Sequence, residues 1–166
     1  MALTAEELRR LLDYDPKTGV FTWKVRPSRN RLVGAVAGTL QVLGYVGIGI
    51  YGKVYTAHRL AWFYMTGELP PNDVDHINGN RSDNRFSNLR LATRSENLQN
   101  TNKPRCNNKV GLQGVSPEPN SSKYRAQIRF EGTVIYLGLY STPEEAHEVY
   151  LAKKREVHPF FVESTE

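Results

Sequence analysis

The 166 residues contain one cysteine, Cys106. A lone thiol excludes an intrachain disulfide and a multi-cysteine zinc staple, so any small domain here must cohere by packing alone. No apolar run is long enough for a membrane span, and no secretory signal opens the chain, so the expectation is a soluble intracellular protein without a membrane partner. Hydrophobic residues make up 39% and mean hydropathy is −0.53, which points to small cores in one ordinary domain or two small ones. Acid is missing over a long stretch as well. Between Lys17 and Gly67 there is no Asp or Glu, while Lys17, Lys24, Arg26, Arg29, Arg31, Lys53 and Arg59 are all basic. With a net charge of +5, such a one-signed stretch suits a phosphate backbone, because each neutralised phosphate releases counterions. Charge by itself fits a solvated basic face equally well.

What is present reads as two folded segments. Thr4 to Leu12 carries capping-box spacing and a leucine face, which predicts a short helix. Asp15 to Gly19 is a turn, and Val20 to Val25 is strand-like. Pro27 to Gly34 is a basic loop whose Arg26, Arg29 and Arg31 are candidates to track phosphates. Gly44 to Ile50 and Lys53 to Thr56 form a hairpin around Tyr51-Gly52. Ala57 to Met65 is a helix stopped by Gly67 and Pro70-Pro71, with Leu60, Phe63 and Tyr64 as core. His58 at its start reads as a capping or packing residue, and Arg59 as a candidate phosphate contact.

The chemistry concentrates in Val74-Asp75-His76-Ile77-Asn78-Gly79-Asn80, followed by Asn88-Leu89-Arg90 and Ser95-Glu96-Asn97. Val74 to His76 is a short strand and Asn78-Gly79-Asn80 its tight turn. Leu89 to Ala92 returns, and Thr93 or Ser95 caps a helix through Asn100. Phosphodiester cleavage needs an attacking water, relief of charge on phosphorus and help for the departing oxygen. His76, with an ordinary pKa near 6.5, suits the base. Asp75 and Asn97 offer oxygen only, which suits one Mg²⁺ or Mn²⁺ ion better than zinc. Asn88 is expected to tie the loop carrying His76 into place. Glu96 is a nearby carboxylate, but Asn97 fits the pattern better.

On these residues the chain resembles the HNH nucleases, in the version found in phage and intron-encoded homing endonucleases. His76, Asn88 and Asn97 stand at the three lettered positions, with Asp75 directly before the first. The resemblance implies an α+β chain with a ββα-metal (His-Me finger) core at 73–102 and an N-terminal hairpin and helix elaboration, together spanning 1–102. It further implies one ion held by Asp75 and Asn97, His76 as general base, and DNA cut to leave a 5′-phosphate and a 3′-hydroxyl.

Residues 103–110 read as a basic linker, with Lys103, Arg105 and Lys109 as candidate DNA contacts. Three strand signals follow, at Gly111–Ser116, Tyr124–Phe130 and Val134–Tyr140, then a helix over Pro143 to Glu156 capped by Thr142. Its sheet-facing stripe is expected to be Ala146, Val149, Tyr150 and Lys153. Gly114-Val115-Ser116, Tyr124 to Arg129, Tyr136-Leu137-Gly138 and Thr142 to Ala146 resemble the Apetala-type DNA-binding domain. That resemblance makes 111–166 a three-stranded antiparallel sheet on one helix. Alternation sends Ala126 and Ile128 to the helix and Arg125, Gln127 and Arg129 to DNA, with Gln113, Ser116 and Tyr136 at neighbouring contact positions. The expectation is a site-specific DNA endonuclease of the homing type. It acts on double-stranded DNA as a monomer that nicks one strand, in the cytoplasm of a bacterial or phage-infected host cell. The competing reading is a catalytically silent DNA-binding regulator built on the same modules; RNA or protein hydrolysis is a third.

Overall fold

The computed structural model describes residues 3–26, 28, 32–101, 104 and 106–163. The chain divides into two compact units, Met1–Asn97 and Leu98–Glu166. The expected contacts Arg29, Arg31, Lys103 and Arg105 lie outside the described residues.

In the first unit the Thr4 hydroxyl accepts from the Glu7 amide at 3.2 Å and starts α1 (Ala5–Leu11). The helix ends one residue earlier than its leucine pattern suggests. Leu12 is extended and opens a strand absent from the sequence reading, β1 (Leu12–Asp15). Leu12 lies one helical turn beyond Leu8, so periodicity assigns it to the helix; pairing with Trp23 of β2 (Val20–Trp23) takes it into a sheet instead. The turn between them is held by Asp15, whose carboxylate accepts from the Lys17 amide at 2.9 Å and the Thr18 hydroxyl at 2.8 Å. Gly19 closes the turn at φ 75°, where a Cβ would run into the backbone of Asn84 and Arg85. That position therefore needs glycine for its conformation and for the space.

β3 (Val36–Ala37) adds to β2. A second sheet follows, of β4 (Thr39–Leu40), β5 (Val46–Ile50) and β6 (Lys53–Thr56) in that order, with Tyr51-Gly52 turning the hairpin. α2 (Ala57–Thr66) runs on directly and stops at Gly67 in the left-handed conformation. Its Leu60, Ala61 and Phe63 sit in one apolar cluster with Leu8, Leu12, Phe21, Trp23, Ile48 and Ile50. Val74 of β7 (Asp73–His76) and Leu89 of β8 (Leu89–Ala92) belong to the same cluster. A strand–loop–strand–helix unit of this size holds little core of its own. Each large apolar side chain it buries against α2 stabilises it by about 1.5–3 kcal/mol. The Thr93 amide donates to Glu96 Oε2 at 2.7 Å and the Glu96 amide to Thr93 Oγ1 at 3.3 Å, so Thr93, not Ser95, caps α3 (Arg94–Gln99).

The second unit is an antiparallel sheet of β9 (Val115–Pro117), β10 (Tyr124–Phe130) and β11 (Thr133–Tyr140), with β10 central, followed by α4 (Pro143–Val157). Glu131 and Gly132, both at positive φ, make the β10–β11 turn. Thr142 and Glu145 complete a capping box at the start of α4. Ala126 and Ile128 are buried, as alternation requires. The stripe of α4 differs from the expected one: Ala146, Tyr150 and Lys154 are its buried residues, and Lys153 pairs with Glu156 at the surface. Residues 106–110, expected as an extended linker, fold onto this unit. Asn108 donates to the Leu112 carbonyl, and Val110 and Leu112 pack against Val115, Ala126 and Ala146. No helix among the described residues is long and apolar enough to cross a membrane.

Candidate active site

β7 pairs antiparallel with β8 so that Asp73 faces Ala92, Val74 faces Leu91, Asp75 faces Arg90 and His76 faces Leu89. Successive side chains leave a strand on opposite sides. Val74 and His76 therefore share the side turned to the core, and Asp73 and Asp75 share the other.

His76 is only 4% exposed. Its Nε2 lies 3.3 Å from Asn84 Oδ1, and Asn84 Nδ2 donates to the Ser82 carbonyl at 3.0 Å, which sets the amide's orientation. The His58 ring stands edge-on to it at 4.8 Å between centroids, and the Tyr45 ring lies 6.0 Å away. Burial lowers the His76 pKa from its ordinary value, against the opposing pull of Asn84 and Asp75. Burial pushes His58 further, down to about 3, with His76 adding to the shift. Both imidazoles are thus neutral at neutral pH. His58, read from sequence as a packing residue, proves to be the neighbour of the candidate base, and its Nδ1 has no hydrogen-bond partner among the described residues. A histidine at the start of an amphipathic helix carries no local signal of that contact.

On the opposite side Arg90 donates through Nε at 3.0 Å and Nη2 at 2.8 Å, both to Asp75 Oδ2. Asn97 on α3 donates to Asp73 Oδ2 at 3.2 Å, and Arg94 lies 3.6 Å from the same oxygen. Asp73, which the sequence reading passed over, is thus the acid that Asn97 meets. Its place two residues before Asp75 on a strand was the available signal. Among the described residues no group of three or more His, Cys, Asp or Glu side chains is gathered as a metal cage. The side chains on this side offer two carboxylates and an amide, oxygen donors of the kind that hard divalent cations take. Beside them Arg59, Pro71, Asn72, Asp73, Thr93 and Arg94 line an open hollow of about 580 Å³.

Asn88, in the 3-10 turn Phe86–Asn88, knots the intervening loop. Its Oδ1 accepts from the Asn78 amide at 3.1 Å, and its Nδ2 donates to Asn78 Oδ1 at 3.0 Å and the Asp83 carbonyl at 2.8 Å. The Ile77 amide donates to the Asn88 carbonyl at 2.9 Å. Arg85 grips the Asp83 carboxylate, and this hydrogen bonding holds the Asp83 pKa down at about 2.

The remaining candidates are scattered. Arg26 donates to the Ser28 carbonyl, and Arg59 to the carbonyls of Asn72 and Pro70. In the second unit Lys109, Gln127, Arg129 and Tyr136 are exposed, Ser116 is half-buried, and Arg125 is paired with Glu118. Gln113, expected at a neighbouring contact position, is half-buried. Its amide donates to the Thr101 carbonyl at 3.0 Å and accepts from Lys154 Nζ at 2.9 Å, so its side chain serves the interior of that unit.

The profile of the HNH endonuclease family matches residues 55–99, the segment running from β6 through α3. A protein of Acanthamoeba polyphaga mimivirus, named as an uncharacterized HNH endonuclease, is 31% identical over 100 residues, 60% of this chain and 50% of its own length. Protein 3.8 of Escherichia phage T7 is 34% identical over 86 residues, 49% of this chain and 70% of its own. The chain thus spans about half the length of the mimivirus relative. No solved structure matches. The matched profile lies over the segment that carries His76, Asn88 and Asn97, so residues 55–99 are similar to the HNH endonuclease domain.

Proposed function

We propose that the chain is a homing-type, site-specific DNA endonuclease that hydrolyses a phosphodiester bond and nicks one strand of duplex DNA as a monomer. The observation that carries this reading is His76: a neutral imidazole at the end of β7, with carboxylates on the reverse side of the same strand. Asn84 sets its oxygen 3.3 Å from Nε2 and so orients the ring. His76 takes the proton of the attacking water. Asn88 fixes the loop from Ile77 to Arg85 and so holds Asn84, and through it the ring. Asp75 and Asn97 are the residues to hold one Mg²⁺ or Mn²⁺ ion, with Asp73 beside them. When bound, such an ion supplies charge neutralisation at the phosphate and at the departing oxygen. Arg59 and Arg94, at the hollow next to Asp73, suit flanking phosphates. In the second unit the outward side of the sheet, with Gln127, Arg129 and Tyr136, is assigned to the DNA groove, and the likeness to Apetala-type domains supports that assignment.

The competing reading, a silent DNA-binding regulator, draws on two observations: His76 is covered and Asp75 is met by Arg90. Relaxation of a supercoiled plasmid with Mg²⁺ separates the two. Nicking by the wild type, with His76→Ala slower by roughly 10²–10⁴-fold, is expected of a general base. Retardation of duplex DNA by both proteins without nicking by either would select the regulator.

A further inference from the structure

The turn joining β4 to β5 is made of residues unsuited to open water. The Gly44 amide donates to the Gln41 carbonyl at 2.8 Å and the Gln41 amide to the Tyr45 carbonyl at 2.7 Å, closing the hairpin over Val42-Leu43-Gly44. The corners of such turns favour Asn, Asp, Ser, Pro and Gly. Here they are Val42, fully exposed at 104%, and Leu43 at 69%, with Leu40 of β4 at 68% beside them. Contiguous exposed apolar side chains mark a contact surface. The turn is also stiffened, since Gln41 Nε2 lies 3.3 Å from both the Thr39 carbonyl and its hydroxyl.

Position and charge select the partner. Arg81, from the loop after β7, donates to the Leu43 carbonyl at 3.0 Å and lies 4.8 Å over the Tyr45 ring. That ring stands 5.2 Å from His58 and 6.0 Å from His76. One arginine and one tyrosine therefore fix the tip to the candidate base. The tip also lies within the acid-free stretch from Lys17 to Gly67. An apolar point with the Arg81 guanidinium against it and the candidate base beside it matches duplex DNA, with charged phosphates outside and stacked bases within. An apolar partner face would leave that guanidinium unanswered. The turn precedes the family-matched segment 55–99, so it is an addition to that core.

We propose that Val42 and Leu43 form a wedge that enters the base stack beside the scissile phosphate, opening one step and bending the strand towards His76. This rests on the nuclease reading above. Burial of the two side chains between bases, together with the phosphate contacts a bend permits, offsets the lost stacking.

The test uses the full chain with His76→Ala, so that plasmid circles are not cut during the assay. A nicked plasmid saturated with protein is sealed by ligase, stripped of protein and resolved into topoisomers. A wedge unwinds the duplex, so the linking number should fall with bound protein. It should stay at the protein-free value when Val42→Ser and Leu43→Ser are added, and fall again with Val42→Met and Leu43→Met. Serine suits turn corners, so the serine version keeps its fold. Retardation without any linking change, or a change indifferent to the serines, would overturn the wedge and leave the nuclease reading standing. A serine-sensitive dimer with an unaltered linking number would overturn it in favour of self-association. Failure to retard duplex DNA at all would overturn both.

Discussion

The pairing of His58 with His76 has a consequence for stability that is separate from cutting. A buried histidine whose pKa sits at about 3 stays neutral in the folded chain, whereas the same residue unfolded titrates at roughly 6.5. Below that upper value the unfolded chain binds the proton first, so stability of the first unit falls as pH drops from about 6.5 towards 3. The slope reaches about 1.4 kcal/mol per pH unit for one such group. His58→Leu removes that dependence. Urea midpoints at pH 7 and pH 5 should show the wild type losing more than the variant over that interval. Parallel losses would mean that His58 is not held neutral.

Among the elements, the loop between β7 and β8 depends on a single amide. Asn88 satisfies Asn78 and Asp83 from one side chain, and the same loop carries Asn84, which touches His76. Asn88→Ala removes the partner of the Asn78 amide and of the Asp83 carbonyl, at a cost of about 1–3 kcal/mol in the first unit. Misplacing Asn84 by an ångström is expected to slow nicking by roughly 10²-fold. Hydrogen exchange should locate the loosening in residues 77–85, and full protection there in the variant would refute the assigned role. α4 depends in a similar way on Lys154, which is 1% exposed. Its ammonium donates to the Thr101 carbonyl at 2.8 Å and to Gln113 Oε1, and it lies 4.0 Å over the Phe161 ring. Burial pulls its pKa down to about 8, against roughly 10.4 in an unfolded chain. Between those values the unfolded chain holds more protons, so the second unit gains stability as pH rises from about 8 to 10. The gain of wild type over Lys154→Met should widen across that range; a constant difference would place the ammonium in water.

At the scale of the whole molecule, charge is the dominant property. If the cations between Lys17 and Gly67 and the exposed Lys109 and Arg129 meet phosphates, binding must weaken with salt. Six phosphate contacts would cost roughly 10³-fold in affinity between about 50 and 200 mM salt. An affinity for duplex DNA that stays flat over that range would exclude backbone gripping and leave the basic stretch as a solvated surface. The division of the chain after Asn97 adds a second expectation. The core of the second unit is small, with Val115, Ala126 and Ala146 at its centre, so that unit should unfold first in a denaturant titration. A single transition seen by probes in both units would contradict it.

Much of this was legible in the residues alone, wherever the determinant is local. Tyr51-Gly52 and Glu131-Gly132 announce hairpin turns, Thr4 and Thr142 announce helix caps, and alternation predicts that Ala126 and Ile128 face inward. The spacing of Asp75, His76, Asn88 and Asn97 reads as a strand, a turn, a returning strand and a helix, and those elements form where it puts them. Other features depend on which surfaces meet, and no local pattern encodes that. Leu12 fits a helix until Trp23 arrives across a sheet, and His58 fits a packing residue until β7 brings His76 against it. Lys153 and Lys154 are equivalent in sequence; the angle at which α4 meets its sheet decides which is buried. Local periodicity thus determined the elements and the chemical inventory of the site, whereas the choice of neighbour for each side chain came only with the packing of those elements.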